Sequence, residues 1–371
     1  MIEQTPLHGG QLRRISERFQ IPSARLLDFS ANINPDGPPA RLLSTLRIAL
    51  EDISNLTSYP DLEEFHLKQC IAAYAGVNPA NLIVANGFIP LLDAVLQKYK
   101  LKRCLLPVPA FVEYRRSLAR AGVEVVPHLL TPETDFSYDF NALVQGGHDS
   151  VLLANPQNPS GVLASRDALL GFVSRCAGKN VTVLLDEAFI DYSPLDSLAA
   201  DAERFPNLFV FRSVTKFHAV PGLRIGYAAA NEAIARAIHE DMPPWSITNL
   251  ASVAIVSALS ELGFVERTRM QNDARRTRMR VALNLSGIHT YPSAANFLLL
   301  RVPEGISAEH LWRHMITEHQ LVLRDCSNFE CLPLGHLRAA VRTDVDNERL
   351  IGALNRSMPL CRELRPPPVQ K

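Results

Sequence analysis

Val181-Thr-Val-Leu-Leu-Asp186-Glu-Ala-Phe189 is an unbroken β-branched and aliphatic run that ends in a carboxylate. A strand of that composition is covered on both faces, the situation of a parallel sheet rather than of a half-solvated antiparallel one. In such sheets ligands bind outside the carboxyl ends of the strands, where Asp186 stands. Outward from this run the chain alternates. Strands are expected at 82–85, 103–107, 123–126, 151–154, 208–211 and 225–229, with helices at 61–75, 89–99 and 111–121. Alternation of that kind predicts a mostly parallel sheet flanked by helices. Pro243-Pro244 stop a helix, because proline lacks the N–H that continues it. Beyond them the pattern changes to helices over 251–262 and 263–285, strands over 297–302, 322–324 and 337–341, and a helix over 347–355. The expectation is an α/β protein with a large sheet domain over 45–245 and a smaller α+β domain.

Three further stretches frame Asp186. Ser213-Val-Thr-Lys216 is followed by Arg224 in Pro221-Gly-Leu-Arg-Ile-Gly226. The amine of Lys216 can condense with an aldehyde. Ser213 and Arg224 can hold a phosphate dianion, the arginine through its two-pronged fork. Pyridoxal phosphate carries both handles, and Asp186 would pair with its protonated ring nitrogen and keep the ring electron-withdrawing. Asn155-Pro-Gln-Asn158-Pro-Ser-Gly161 ends the strand at 151–154 and leaves Asn158 free to donate to the ring's phenolate oxygen. Asn86-Gly87-Phe88 follows another strand and opens a helix, whose first N–H groups suit phosphate, so Gly87 and Phe88 are candidates too. Taken singly, Lys216 reads as a loop lysine, Asn158 as a turn residue, Arg224 as an exposed charge and Asp186 as a helix cap. Their order and spacing favour a site.

The series N-P-x-N-P-x-G, then D-E-A-F, then S-x-x-K with arginine eight residues later resembles fold-type I pyridoxal-phosphate enzymes of the class I/II aminotransferase superfamily, over essentially the whole chain. His8-Gly-Gly and Asp28-Phe-Ser-Ala-Asn32-Ile-Asn-Pro35 resemble the threonine-phosphate decarboxylase branch, whose nearest relatives are histidinol-phosphate aminotransferases. Pro107-Val-Pro-Ala-Phe111-Val-Glu-Tyr114, 213–222 and Leu323-Arg324-Asp-Cys-Ser-Asn328 fit the same branch. The resemblance implies that 1–44 joins 246–371 in the smaller domain. It implies that Phe111 stacks on the cofactor ring, with a core aromatic as the alternative. Phe88 departs from the small polar or acidic residue usual there, so phosphate would rely on main-chain donors. Phe189 stands where many aminotransferases carry a tyrosine, leaving the phenolate to Asn158. Tyr59 matches the tyrosine that reaches the cofactor phosphate of a neighbouring subunit, which implies a homodimer with a shared site. His8, Asn32, Arg324 and Arg342 match positions that receive the substrate's phosphate and carboxylate. Arg338 is a further candidate, because two arginines four apart on a strand share a face.

Bulk properties narrow the classes. Lys and Arg total 38 and Asp and Glu 38 in 371 residues, a net charge of zero with no basic stripe, so nucleic acid is not an expected partner. No apolar stretch reaches membrane-spanning length. The start lacks a basic region followed by an apolar run, so it does not read as a secretory signal. The tail from Arg365 reads as a frayed end. Six scattered cysteines without C-x-x-C read as reduced thiols of a cytoplasmic enzyme. His310 and His314 share a helix face, but the glutamate of H-E-x-x-H is missing, so no metal is expected. Three functions follow: decarboxylation of a small phosphorylated amino acid, with L-threonine phosphate implied by the resemblance; transamination of histidinol phosphate or a related amino acid; and pyridoxal-phosphate binding without catalysis. The first two share every cofactor contact. They differ in which bond at Cα is held perpendicular to the conjugated ring.

Overall fold

A seven-stranded sheet organises the larger part of the protein. A computed structural model describes residues 8–362, and the tail from Arg365 lies outside them. In spatial order the strands are Leu82–Ala85, Gly226–Ala229, Leu208–Ser213, Thr182–Asp186, Ser150–Ala154, Arg103–Val108 and Glu124–Leu129. Gly226–Ala229 runs antiparallel to both neighbours, and the other neighbouring pairs are parallel. Register places Ala154 beside Asp186 and Asp186 beside Phe211, so two carboxyl ends finish level and the third runs two residues further, to Ser213. Segments 155–161, 187–189 and 214–216 therefore leave the sheet at the same end.

Both faces are covered, as the apolar runs require. Val183 and Leu185 point into a core with helices Phe65–Ala75, Arg166–Ala177 and Asn249–Leu259. Leu184 points the other way, into a core with Phe88–Tyr99 and Val112–Arg120. That split is the two-residue period of a strand. The helix expected from 61 begins at Phe65. Asp61 explains the delay: its carboxylate accepts from the N–H groups of Glu63 and Phe65, a local turn that competes with helix.

The second core joins Ile15 and Phe29 to Leu298, Leu300, Trp312, Met315 and Leu350. It carries an antiparallel sheet in the order Arg324–Asp325, His336–Ala340, Phe297–Arg301, His289–Thr290. Leu27–Asp28 pairs in parallel with Leu321–Val322, tying the N-terminal segment to this unit. The strand expected over 322–324 is thus two short pairings that break at Leu323. The helix Asn249–Leu259 sits with the large sheet, not beyond the boundary expected at 245. Its Ala251, Ala254 and Ile255 belong to the first core. Prolines end the preceding helix at Asp241 but do not change which surface the next apolar face covers.

Candidate active site

A cavity of about 350 Å³ lies over the carboxyl ends of the large sheet. Its wall joins Phe88, Phe111, Asn158, Asp186, Phe189, Lys216 and Arg224 from the large unit to His8, Asn32, Arg324 and Arg338 from the other.

At one end, Arg224 has a left-handed backbone (φ 56°) and lays its guanidinium against Gly87. A Cβ on Gly87 would lie 2.8 Å from Arg224 Nη2, and Gly87 itself has φ 94°. Only glycine combines that backbone with that approach. Gly226 is equally constrained, since a Cβ there would fall 3.0 Å from the Gly87 carbonyl carbon. Gly87 caps Phe88–Tyr99 without a side-chain bond, so the helix presents its opening N–H groups at this turn. Ser213 Oγ lies 2.8 Å from Thr215 Oγ1, giving two buried hydroxyls. Thr215 was not singled out in the sequence; its place beside the lysine was the available signal. The Phe88 ring packs against Phe211 and Tyr114, with centroids 5.2 and 5.6 Å away. Phe88 therefore offers its backbone to this end and its side chain to the core.

At the centre, Lys216 Nζ lies 5.2 Å from the centroid of the Phe189 ring. Burial pushes its amine below the ordinary lysine range, Arg224 and Arg338 push the same way, and Asp186 opposes them. The Asp186 carboxyl is raised by burial, against the Tyr114 hydroxyl, Lys216 and the Ala188 N–H, which all favour the anion. Tyr114 Oη donates to Asp186 Oδ2 at 2.5 Å, and Ala188 N–H donates to Oδ1 at 2.8 Å. Asn158 Oδ1 accepts from Arg338 Nη1 at 2.5 Å, an amide orientation that leaves Nδ2 as the donor. Phe111 lines the cavity and meets Tyr114 edge-on at 5.5 Å.

These residues fit pyridoxal phosphate. A cradle closed to any Cβ, two hydroxyls and a guanidinium suit the phosphate. A depressed amine suits the aldehyde, and a buried carboxylate suits the ring nitrogen.

The other end is an anion seat. Arg338 is buried, its Nε has no partner, and no carboxylate pairs with it among the described residues. Burial lowers its pKa to about 10. Its Nη2 reaches the Ser30 carbonyl at 3.3 Å, and its guanidinium lies over the Phe297 ring. Arg324 donates to the Asp325 carbonyl and to Asn328 Oδ1, at 2.6 and 2.7 Å. Asn32 is buried with Oδ1 unpartnered. His8 Nε2 pairs with Glu113 Oε1 at 3.0 Å, and burial outweighs that carboxylate to lower the imidazole pKa.

Arg342 does not belong to this group. It lies outside the cavity, paired with Asp346 (3.1 Å) and the Asp28 carbonyl (3.1 Å). The strand ends at Ala340, so the two-residue period that put Arg342 on the face of Arg338 does not extend to it. Tyr59 does not line the cavity of its own chain either: it is 79 % exposed and packs on Trp245 at 4.6 Å. His319 bonds the Ser357 hydroxyl, and no three potential metal ligands cluster among the described residues.

Comparison with known proteins bears on this geometry. The family described as aminotransferase class I and II matches residues 24–354. A threonine-phosphate decarboxylase of Salmonella typhimurium is 35 % identical over 355 residues, covering 94 % of this chain and 95 % of that protein. The crystal structure of a histidinol-phosphate aminotransferase from Clostridium acetobutylicum superposes with a TM-score of 0.83 at 29 % identity, over 90 % of this chain and all of that one. That of an L-threonine-O-3-phosphate decarboxylase from Porphyromonas gingivalis gives 0.76 at 26 % identity, over 88 % and 98 %.

Proposed function

We propose that this chain, which belongs to the aminotransferase class I and II family, decarboxylates a small phosphorylated amino acid: L-threonine O-3-phosphate, to (R)-1-aminopropan-2-yl phosphate, in cobalamin biosynthesis. Pyridoxal phosphate is the cofactor of the family and of this enzyme. The observation that carries the reading is the second anion seat. Two buried arginines, Arg324 and Arg338, share one cavity with His8 and Asn32, and no carboxylate pairs with Arg338 among the described residues. A buried guanidinium without a carboxylate is costly until an anion arrives. A substrate carboxylate would meet Arg338, and a substrate that also carries a phosphate would bring a second anion to the same cavity.

When bound, the cofactor supplies an aldehyde that captures the substrate amine and a ring that withdraws electrons from Cα. The protein does the rest. Asp186 keeps the ring nitrogen protonated. Asn158 Nδ2 donates to the phenolate oxygen. Arg224, Ser213, Thr215 and the N–H groups after Gly87 hold the cofactor phosphate. Arg324, His8 and Asn32 grip the substrate phosphate, and Arg338 takes the carboxylate. Binding energy from the remote phosphate would fix the orientation of the carboxylate held by Arg338, the group whose loss as carbon dioxide the bound cofactor would favour. Lys216 Nζ would deliver the proton that replaces the carboxylate at Cα.

Transamination is the second reading, favoured by the structural likeness to a histidinol-phosphate aminotransferase. An intact lysine, aspartate and arginine set argues against cofactor binding without catalysis. Product analysis separates the two enzymes. Carbon dioxide release from L-threonine phosphate without a keto acid supports decarboxylation. Glutamate formed from 2-oxoglutarate and histidinol phosphate, with no carbon dioxide, overturns it. The exposed Tyr59 supports a homodimer in which each site is completed by its neighbour. Mixing inactive Lys216→Ala with inactive Tyr59→Ala chains then restores part of the activity, and an active monomer in sedimentation refutes the arrangement.

A further inference from the structure

Tyr114 does not itself line the cavity, and its hydroxyl meets one charged group. It is buried in the helix Val112–Arg120, and its ring is held edge-on by Phe111 and tilted against Phe88. Its hydroxyl donates to Asp186 Oδ2 at 2.5 Å. The opposite oxygen, Oδ1, is held by the Ala188 N–H at 2.8 Å. Each carboxylate oxygen thus has one donor fixed by a different element, which defines the plane of the group. A phenol in this place is not needed for packing alone, since phenylalanine would fill the ring position. Its hydroxyl would be a buried polar group at a net cost if the carboxylate were not there to accept from it.

We propose that Tyr114 is a positioning residue for the cofactor, holding the Asp186 carboxylate ionised and turned so that its remaining lone pairs meet the ring nitrogen. The proposal rests on the pairing of Asp186 with that nitrogen. Groups facing Asp186 come from several elements: Tyr114 from its helix, Lys216 from the turn after Leu208–Ser213, the Ala188 N–H from its own segment, and the Tyr138 phenol. Tyr138 does not donate to it; its hydroxyl donates to the Ala154 carbonyl at 2.7 Å. Lys216 is engaged by the cofactor or substrate during turnover, so Tyr114 is the side-chain donor that persists.

The sign of the effect follows. Burial raises the Asp186 carboxyl above its ordinary range, and the Tyr114 hydroxyl counters it. Removing the hydroxyl raises the carboxyl further. The anion that the protonated ring nitrogen needs is then lost at a higher pH as the solution is acidified. A purely structural contribution would weaken binding equally at every pH.

The test uses the full chain stripped of cofactor and titrated with pyridoxamine 5'-phosphate. That probe has the same ring and phosphate but no aldehyde, so Lys216 cannot bond to it. Its dissociation constant is measured from pH 5 to 9 by ring fluorescence. Tyr114→Phe is expected to move the acid limb of the affinity profile up by about one pH unit and to converge with the wild type on the alkaline side. Tyr138→Phe, which also removes a buried phenol near Asp186, is expected to leave the limb in place. The limb is read from the fraction that binds, so it does not depend on the yield of folded variant. Weakening of the Tyr114→Phe protein by one factor throughout, no change, or the same shift in Tyr138→Phe overturns the proposal. Asp186→Asn distinguishes a deeper failure: if it keeps wild-type affinity and the wild-type limb, the pairing of Asp186 with the ring nitrogen is itself wrong.

Discussion

The two ends of the cavity are built differently. The cofactor end comes from strand ends and the turns that leave them: Asn158, Asp186, Ser213, Lys216 and Arg224 all lie within ten residues of a strand of one sheet. Its geometry is fixed by a register of main-chain bonds. The substrate end is assembled from a distance. His8 and Asn32 come from the N-terminal segment, and Arg324 and Arg338 from a separate antiparallel sheet with its own core. One end can thus stay constant while the other is changed, which is how a single cofactor platform can serve decarboxylases and aminotransferases alike.

The sharpest way to break the cofactor end is Lys216→Ala. Covalent capture and proton delivery are both proposed for that amine, so turnover is expected to fall by at least roughly 10⁴-fold. Borohydride should then fix no cofactor to the chain, as shown by the mass of the protein after reduction. A reducible covalent adduct in the variant would move the attachment elsewhere.

Arg338→Ala tests the other end. Removing one partner of a desolvated charge pair costs roughly 2–5 kcal/mol, so kcat/KM is expected to drop by about 30-fold or more. Asn158 loses the group that orients its amide. The visible spectrum of the bound cofactor should therefore change as well, although Arg338 is assigned to the substrate. An unchanged kcat/KM would mean that the carboxylate binds elsewhere.

A smaller effect is expected for Gly87→Ala. The methyl group meets the Arg224 guanidinium, and the backbone there has φ 94°. Strain and displaced charge together should weaken pyridoxal phosphate binding by about tenfold to a hundredfold, measured by equilibrium dialysis. Turnover at saturating cofactor should change much less, because Gly87 and Arg224 are proposed to hold the phosphate rather than the reacting atoms. Equal loss in both would mean that the turn also shapes the catalytic centre.

The contrast between the ends also explains what could be read from the chain. Asp186, Lys216, Asn158 and Arg224 carry signals of type and spacing, because strand ends and turns impose both. The sheet was legible for the same reason: continuous apolar runs report burial on both faces. Long-range placement was not legible. Nothing in the local sequence says that the Tyr114 hydroxyl meets Asp186, 72 residues away. The pairing of His8 with Glu113 is equally silent, as is the packing of Asn249–Leu259 on Ala40–Glu51. Such contacts depend on how whole elements dock.

Arg342, which the resemblance implied and strand alternation tied to the face of Arg338, lies past the end of that strand, and Arg342→Ala gives the smallest effect expected. Alternation is valid only while the backbone stays extended. Ala340 is the last strand residue, and by Thr343 the chain is capping the helix Asp344–Ser357, with Thr343 Oγ1 accepting from the Asp346 N–H. Arg342 lies in that corner. Its N–H donates to Asn347 Oδ1, its Nε to Asp346 and its Nη1 to the Asp28 carbonyl, and its guanidinium lies over the Phe29 ring. These contacts tie the helix start to the N-terminal segment and leave nothing aimed at the cavity. Truncation to alanine should cost about 1 kcal/mol of stability, read as a lower urea midpoint, because the pair is partly solvated and the stem packs on an aromatic ring. Affinity for the substrate should stay within about threefold, well inside the 1.4 kcal/mol that a tenfold change represents. A tenfold rise in KM with unchanged stability would return Arg342 to the substrate end and would require the segment after Ala340 to turn inward when substrate binds.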